Sequence, residues 1–518
     1  MEFGLPSIAP LTIAGAFRSV AARHPSRPAV VTPEARLSFA ELDRKTDALA
    51  LALAAHGVPP GATIGALLPD GLAMIELLIA TAKSGVSILT MNWRLAAPEL
   101  THIMEDADPA LTFVSRGHEQ LARDAGPNRR IIVVPDDGGI DLAGSPGGYV
   151  YPAQARAADE IGPADDWLLL YSSGTTGSPK GCRHSQGGYY INALSCMAAM
   201  GFRETDRALL VQPLFHVGGL HIFLAVHLAG GCVIVPPRGL DHESMIRLVS
   251  AEKVTFQTVP VLDPRGYGET HRRLALPTRL RLLHAGAGMH PPELLQYLAT
   301  VFKSDMLLGY GQTEGGGLLC LISLADQLHR PTSCGKPLPH LDARIVDDAG
   351  NDLADDAHGE LVIRGPSTTI GYLNLPEATR EALSGGWLRT GDIFWRDGDG
   401  FLHFAGRKKE LIKSGGENIY PAEVELALLG HPAVRQCCVV GVPDRRYGEA
   451  VKAFVVLADG QASSPRDIAD WCRTRIAGYK RPRFVEFVDQ ILCDFQAKPQ
   501  RALLVKLPVS AAQATDQD

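Results

Sequence analysis

Short apolar runs alternate with longer segments of helical period through most of this chain, the pattern of an α/β protein with largely parallel sheets. Thr63-Ile64-Gly65-Ala66-Leu67-Leu68 reads as a buried strand, the residues from about Leu72 to Ser84 as a helix, and Val86-Ser87-Ile88-Leu89 as the next strand. Trp167 to Tyr171 is a further buried strand. The most apolar stretch, Leu209 to Val235, is interrupted by Pro213, His216, His221, His227 and four glycines, which predicts a buried strand–helix–strand unit and not a membrane span. Gly398-Asp399-Gly400 predicts a hairpin turn between Phe394-Trp395 and Phe401-Leu402-His403-Phe404, and the Pro/Gly-rich piece near Asp136–Gly148 a surface loop. Beyond Arg407 the texture changes to a compact set of strands (Gln436–Val442, Ala450–Leu457) and helices (around Ala422–Leu429 and Pro465–Ile476). A boundary is therefore expected at Lys408–Lys409, dividing the chain into 1–407 and 408–518, with a frayed polar tail after Lys506.

Length supports that division, since 518 residues exceed one ordinary domain. With 46% apolar and 21% charged residues the composition is that of a globular protein, and a net charge of −7 without basic–aromatic runs argues against nucleic acid as a partner. The N-terminus has no basic region before a short apolar core, so no secretion signal is expected. Nine cysteines lie singly, apart from the neighbours Cys437 and Cys438, without C-x-x-C spacing; they are expected to be core thiols of a reducing cytoplasm.

The chemistry starts at YSSGTTGSPKG, residues 171–181. Glycines let backbone N–H groups approach an anion, the hydroxyls of Ser172, Ser173, Thr175 and Thr176 add donors, and Lys180 adds a charge. These are the parts of a polyphosphate cradle, placed at the end of a buried strand where α/β folds bind ligands. The Gly-Lys-Ser/Thr junction of a P-loop is missing, because Gly177 is followed by Ser178-Pro179-Lys180-Gly181.

The stretch resembles the phosphate loop of the adenylate-forming superfamily, which includes acyl-CoA synthetases, peptide-synthetase adenylation domains and luciferases. Further motifs follow in that family's order. Pro213-Leu214-Phe215-His216 resembles the acid-pocket motif, Gly309-Tyr310-Gly311-Gln312-Thr313-Glu314 the adenine and magnesium motif, and Thr390-Gly391-Asp392 the ribose motif. Gly406-Arg407-Lys408-Lys409 resembles the hinge, followed by Ser414-Gly415-Gly416-Glu417-Asn418-Ile419-Tyr420-Pro421. The likeness runs from about Arg23-His24-Pro25 to Arg501. It implies a large N-terminal domain of mainly parallel sheets flanked by helices, with a distorted β-barrel, and a small mobile α+β C-terminal domain.

The resemblance also implies roles. ATP and AMP would meet Ser172, Ser173, Gly174, Thr175, Thr176, Gly177 and Lys180 at the phosphates. Gly286, Ala287, Gly309, Tyr310, Gly311, Gln312 and Thr313 would line the nucleotide, with Asp392 and Arg407 at the ribose. Thr176 and Glu314 would serve Mg2+, a hard cation suited to oxygen ligands. Catalysis would fall to Lys498, His216, Thr313 and Glu314. Phe215, His216, Val217, Gly218, Gly286, Gly311 and Gly316 would line the acid pocket, where many glycines and few charges suit an apolar acyl or aryl group. Lys409 would be the hinge, and Gly415, Gly416 and Glu417 would border the coenzyme A tunnel. His221 and His227 match no motif and are expected to be core residues.

Three departures matter. The family's C-terminal Gly-Lys-x-x-Arg reads Ala497-Lys498-Pro499-Gln500-Arg501, with Cys493 at the usual proline. Arg265 near the pocket wall could meet a polar or second carboxylate, or pair with Asp263, which is slightly favoured. No aspartate stands between Leu214 and Leu224, which weighs against an amino-acid substrate. The implied activity is an acid–thiol ligase that forms an acyl adenylate from a carboxylic acid and MgATP, then transfers the acyl group to coenzyme A. Lys480, Arg481, Arg445 and Arg446 are basic candidates for its phosphates. A stand-alone adenylating enzyme serving a carrier protein or another acceptor is the alternative, and a weak adenylate-binding protein a third reading. A homodimer is admitted, the sequence saying nothing firm about assembly.

Overall fold

The computed structural model describes residues 11–136, 138–140, 161–172, 179–260, 263–286, 288, 290–493 and 499–507. Among them the strands gather into three sheets. In the first, Thr63–Leu67, Ser87–Thr90, Leu111–Ser115, Ile131–Val134 and Asp166–Ser172 run parallel, as the alternation of apolar strands and helices predicts. Two antiparallel strands, Lys180–Ser185 and Gly371–Tyr372, close one edge. Ser172 pairs with Lys180, so the two ends of the phosphate-loop sequence are fixed against each other by a ladder.

The second sheet begins as a parallel array of Pro28–Val31, Cys232–Ile234, Arg207–Leu209, Phe256–Thr258, Leu282–Ala285 and Asp305–Gln312. Asp305–Gln312 then pairs antiparallel with Gly317–Ser323, and antiparallel pairing continues through Ser333–Pro337, Leu402–Arg407, Leu388–Arg396, Gly359–Arg364 and Asp342–Val346. The turn predicted at Gly398–Gly400 joins two of these strands.

The apolar stretch from Leu209 to Val235 becomes strand, helix Val217–Leu228 and strand, as expected. That helix and Leu72–Ser84 are buried nearly all round, which explains why neither shows an amphipathic stripe. One apolar cluster carries Ile75, Ile88 and Leu168 of the first layer together with Phe223, Phe256, Leu282 and Phe394 of the second. Within it Trp167 is fully buried, donates its indole N–H to the Leu78 carbonyl at 3.1 Å and meets Tyr189 edge-on at 5.5 Å. No helix among the described residues is long and apolar enough to cross a membrane.

The third sheet holds Ile412–Ser414, Glu417–Ile419, Val434–Asp444, Gly448–Leu457 and Phe484–Phe487. Helices Pro421–Leu429 and Pro465–Arg473 pack their apolar sides on one face, and Leu504 of the short helix Arg501–Leu504 packs on the other beside Val440 and Phe454. Arg501 donates to Glu425 Oε1 at 2.5 Å and to the Val439 carbonyl at 3.3 Å, and pairs with Glu410 at 3.2 Å. Burial pushes the Glu425 carboxyl up, and Arg501 opposes that shift.

Trp167→Phe removes a hydrogen bond and part of a ring from the strand that ends at Ser172; an apparent loss of about 1–2 kcal/mol is expected as a lower thermal midpoint. Arg501→Ala strands a buried carboxylate and should cost about 3–5 kcal/mol, read as early melting of the C-terminal sheet by hydrogen exchange. Arg501→Lys should recover only part, since one ammonium lacks the fork that reaches both Glu410 and Glu425.

Candidate functional site

The hairpin made by Asp305–Gln312 and Gly317–Ser323 carries the two ends of the site. On its first strand Tyr310 stands half-buried against Phe394 (4.9 Å, edge-on) and Phe404. Its hydroxyl donates to Asp392 Oδ2 at 2.6 Å, and burial together with that carboxylate pushes the phenol well up. Asp392 is register partner of Arg407 on the next strand, whose Nε lies 3.5 Å from Asp392 Oδ1. Tyr310, Asp392 and Arg407, far apart in sequence, thus form one cluster: a flat ring, a carboxylate and a guanidinium.

The turn of the same hairpin, Thr313 to Gly316, carries Glu314. Its Oε1 accepts from Ser172 Oγ at 3.3 Å and from the Tyr372 hydroxyl at 3.2 Å, while Lys180 Nζ stands 5.0 Å above the Tyr372 ring. The turn is clamped from outside. The Thr369 N–H donates to the Glu314 carbonyl at 2.7 Å, and Ser367 Oγ donates to the Gly315 carbonyl at 2.9 Å. Having donated its proton, that hydroxyl accepts from His340 Nε2 at 2.9 Å. Gly316 has φ +85°, and a Cβ there would stand 2.3 Å from the Ser367 carbonyl oxygen, so only glycine fits.

A single carboxylate ringed by hydroxyls and an ammonium suits a cation shared with phosphates, which needs few protein ligands. Glu314 therefore fits Mg2+ held together with a polyphosphate.

At the pocket sequence Phe215 is buried, and His216 caps helix Val217–Leu228 by accepting the Gly218 N–H on Nδ1 at 3.0 Å. The ring proton of neutral His216 is therefore on Nε2. A Cβ on Gly218 would lie 2.7 Å from Gln212 Oε1, and one on Gly219 2.3 Å from the Pro213 carbonyl oxygen. A Cβ on Gly286 would lie 3.4 Å from the Gly309 carbonyl oxygen, which brings the ends of neighbouring strands close. Gly311 and Gly317 are stacked more tightly still, and Gln312 pairs with Gly317 at the turn.

Gly415 and Gly416 form the two-residue turn between Ile412–Ser414 and Glu417–Ile419, with φ +61° and +87° and Ser414 paired to Glu417. Positive φ at both positions is what such a tight hairpin demands. Glu417 is exposed there, and Lys409 is exposed on the turn Lys408–Glu410. Ser173, Gly174, Thr175, Thr176, Gly177, Ala287 and Lys498 lie outside the described residues.

One expectation changes. Asp263 caps helix Pro264–Leu274 by accepting from Gly266, and the exposed Arg265 lies over the Tyr297 ring at 5.6 Å, so the expected Arg265–Asp263 pair does not form. The helix turns Arg265 onto its outer face. Lys480, offered for coenzyme A phosphates, is engaged by both Glu423 oxygens at 2.7 and 2.8 Å. His227 is the core residue expected, with Nε2 3.1 Å from the Ala29 carbonyl among Phe17, Phe39 and Phe223. Tyr372, Ser367 and His340 were not singled out from the sequence. Nothing in their local sequence marks them: Tyr372 arrives on the strand Gly371–Tyr372 that pairs with Lys180–Ser185, while Ser367 and His340 act from segments outside the named strands.

Comparison with known proteins places this arrangement. The model of the AMP-binding enzyme family matches residues 17–373, and that of the AMP-binding enzyme C-terminal domain residues 423–492. Among curated relatives, a feruloyl-CoA synthase of Amycolatopsis is 34% identical over 458 residues, 88% of this chain and 90% of its own length. An indoleacetate–CoA ligase of Aromatoleum aromaticum is 34% identical over 477 residues, 90% of this chain and 92% of its own. Among solved structures, o-succinylbenzoate CoA synthetase of Bacillus subtilis, in complex with its acyl-adenylate intermediate, superposes with a TM-score of 0.82 at 28% identity, covering 95% of this chain and 98% of the other. The chain thus belongs to the AMP-binding enzyme family, on the branch of the acid–CoA ligases.

Proposed function

We propose that this ligase activates an aromatic carboxylic acid, and that the clusters around Asp392 and Glu314 divide the nucleotide between them. The observation that carries this reading is their shared support. Tyr310 and Glu314 belong to one hairpin, so the spacing between a sugar-binding carboxylate and a phosphate-side carboxylate is set by rigid backbone. Aromatic acids are favoured because the relatives named above act on feruloyl, indoleacetate and o-succinylbenzoate substrates.

In this reading Asp392 and Arg407 meet the ribose hydroxyls, Tyr310 gives adenine a flat surface, and Lys180 with the hydroxyl-rich residues 172–177 holds the β- and γ-phosphates. Mg2+, when bound, neutralises phosphate charge beside Glu314 and Thr176. A carboxylate oxygen of the acid attacks the α-phosphorus, the bond from that phosphorus to the β-bridging oxygen breaks, and pyrophosphate leaves. Lys498 stabilises the charge that builds up on the reacting oxygens. The product anhydride is uncharged at carbon and carries a good leaving group. The thiol sulfur of coenzyme A then adds to that carbon, its proton is lost, and AMP departs. Holding the partners in line and excluding water supplies most of the acceleration.

His216 borders the acid carboxylate and offers it an Nε2–H. Residues 1–407 and 408–518 act as two units that turn about Lys409, bringing Lys498 in for the first step and Gly415, Gly416 and Glu417 in for the second. The nine thiols, all unbridged, support a reducing, cytoplasmic setting.

Acid-dependent consumption of coenzyme A with stoichiometric AMP and pyrophosphate tests the activity; pyrophosphate release without loss of the thiol would favour another acceptor. Lys498→Ala should lower acid activation by about 10²-fold or more while leaving thioester formation from supplied acyl adenylate within about threefold. Lys409→Pro, with φ locked, should do the reverse, and equal loss of both half-reactions would end the pivot role.

A further inference from the structure

Helix Val217–Leu228 and strand Leu282–Ala285 bring His221 and His284 together beneath the residues named for the acid pocket. Their rings stand edge to face, 6.2 Å between centroids, and they are 4% and 2% exposed. His221 Nδ1 lies 2.8 Å from the Val217 carbonyl oxygen. A carbonyl only accepts, so the proton of the neutral ring sits on Nδ1 and Nε2 presents a lone pair. That Nε2 has no partner, and neither nitrogen of His284 has one. Burial holds both rings neutral, His221 at about 4 and His284 at about 3. His284 must therefore carry one N–H and one lone pair, both unused.

Glycines let the backbone of the named pocket strands pack directly against both rings. A Cβ on Gly309 would stand 2.8 Å from His284 Nε2, and one on Gly317 would stand 3.4 Å from His221 Cβ. Behind them the surroundings are apolar or already satisfied. Phe256 stacks on His284 at 6.4 Å, and Asn192 spends its amide on the Leu318 carbonyl. Buried polar atoms are ordinarily paired, so a lone pair on one ring and an N–H on its edge-to-face neighbour, both without a partner, point to a group that accepts and donates at once.

We propose that His221 and His284 bind a hydroxyl on the acyl portion of the acid: its O–H donates to His221 Nε2, and its oxygen accepts the N–H of His284. The assignment rests on the acid–CoA ligase reading and narrows the substrate to hydroxy acids, hydroxylated aromatic acids foremost. A hydrocarbon end would leave both rings unpaired. A second carboxylate would find two uncharged rings with nothing to balance its charge. Sites that hydrogen-bond a substrate hydroxyl discriminate strongly against its absence, because the protein groups are then stranded.

The test compares 3- and 4-hydroxybenzoate and 3- and 4-hydroxycinnamate with benzoate and cinnamate, by pyrophosphate release and coenzyme A consumption. At least one hydroxy acid should exceed its parent by about 100-fold or more in kcat/KM. In His284→Phe that ratio should fall to about threefold or less through loss of the hydroxy acid, with the parent acid scarcely affected. Parent acids activated within about tenfold of every hydroxy acid, or a ratio that survives in His284→Phe, would overturn the assignment while leaving the ligase intact. No pyrophosphate from any acid would instead defeat the ligase reading beneath it. Should His284→Phe fail to melt cooperatively, His221→Leu is read by the same ratio.

Discussion

The site depends on one strand that belongs to two pairing regimes. Asp305–Gln312 is parallel to Leu282–Ala285 on one side and antiparallel to Gly317–Ser323 on the other. A parallel neighbour requires a long crossover, whereas an antiparallel one can be joined by a tight turn. The change of regime at this strand is what allows Glu314 to sit in a short turn directly after Tyr310. Everything else converges on that hairpin: Ser172 and Tyr372 from the first sheet and the clamp from Ser367 and Thr369 at its turn, and Asp392 of the strand Leu388–Arg396 at Tyr310. The register of one hairpin thereby sets the distance between Tyr310 and Glu314.

Much of this was legible in the order of residues. The strand–helix–strand units around Thr63–Leu89 and Leu209–Val235 appear where the apolar pattern places them, because burial dictates hydrophobicity locally. The hairpin at Gly398–Gly400 could be read because glycine has a conformational reason to be there. Tyr310, Glu314, Asp392 and Arg407 were marked by short motifs, yet the hydrogen bond from Tyr310 to Asp392 spans 82 positions and no motif states it.

What stayed hidden was of two kinds. Tyr372 and Ser367 act through contacts made by an edge strand and a loop, whose partners no local pattern identifies. His221 was expected to be an ordinary core histidine, and by burial it is. The unsatisfied Nε2 that sets it apart depends on the strand from Leu282 delivering His284 opposite, information carried only by the tertiary fold. Arg265 failed for a related reason: its side chain follows the helical phase of Pro264–Leu274, which separates it from the aspartate that caps the same helix.

The apolar cluster that runs unbroken from Ile88 and Leu168 to Phe256 and Phe394 has a bearing on how such a protein can be rebuilt. Helices Leu72–Ser84 and Val217–Leu228 have no outer side to present to water if the two layers they join are parted. A graft that exchanges the pocket with a relative's must therefore carry both layers as one cassette. A crossover between them would leave two half-cores, each with a wall of leucine, isoleucine and phenylalanine facing solvent.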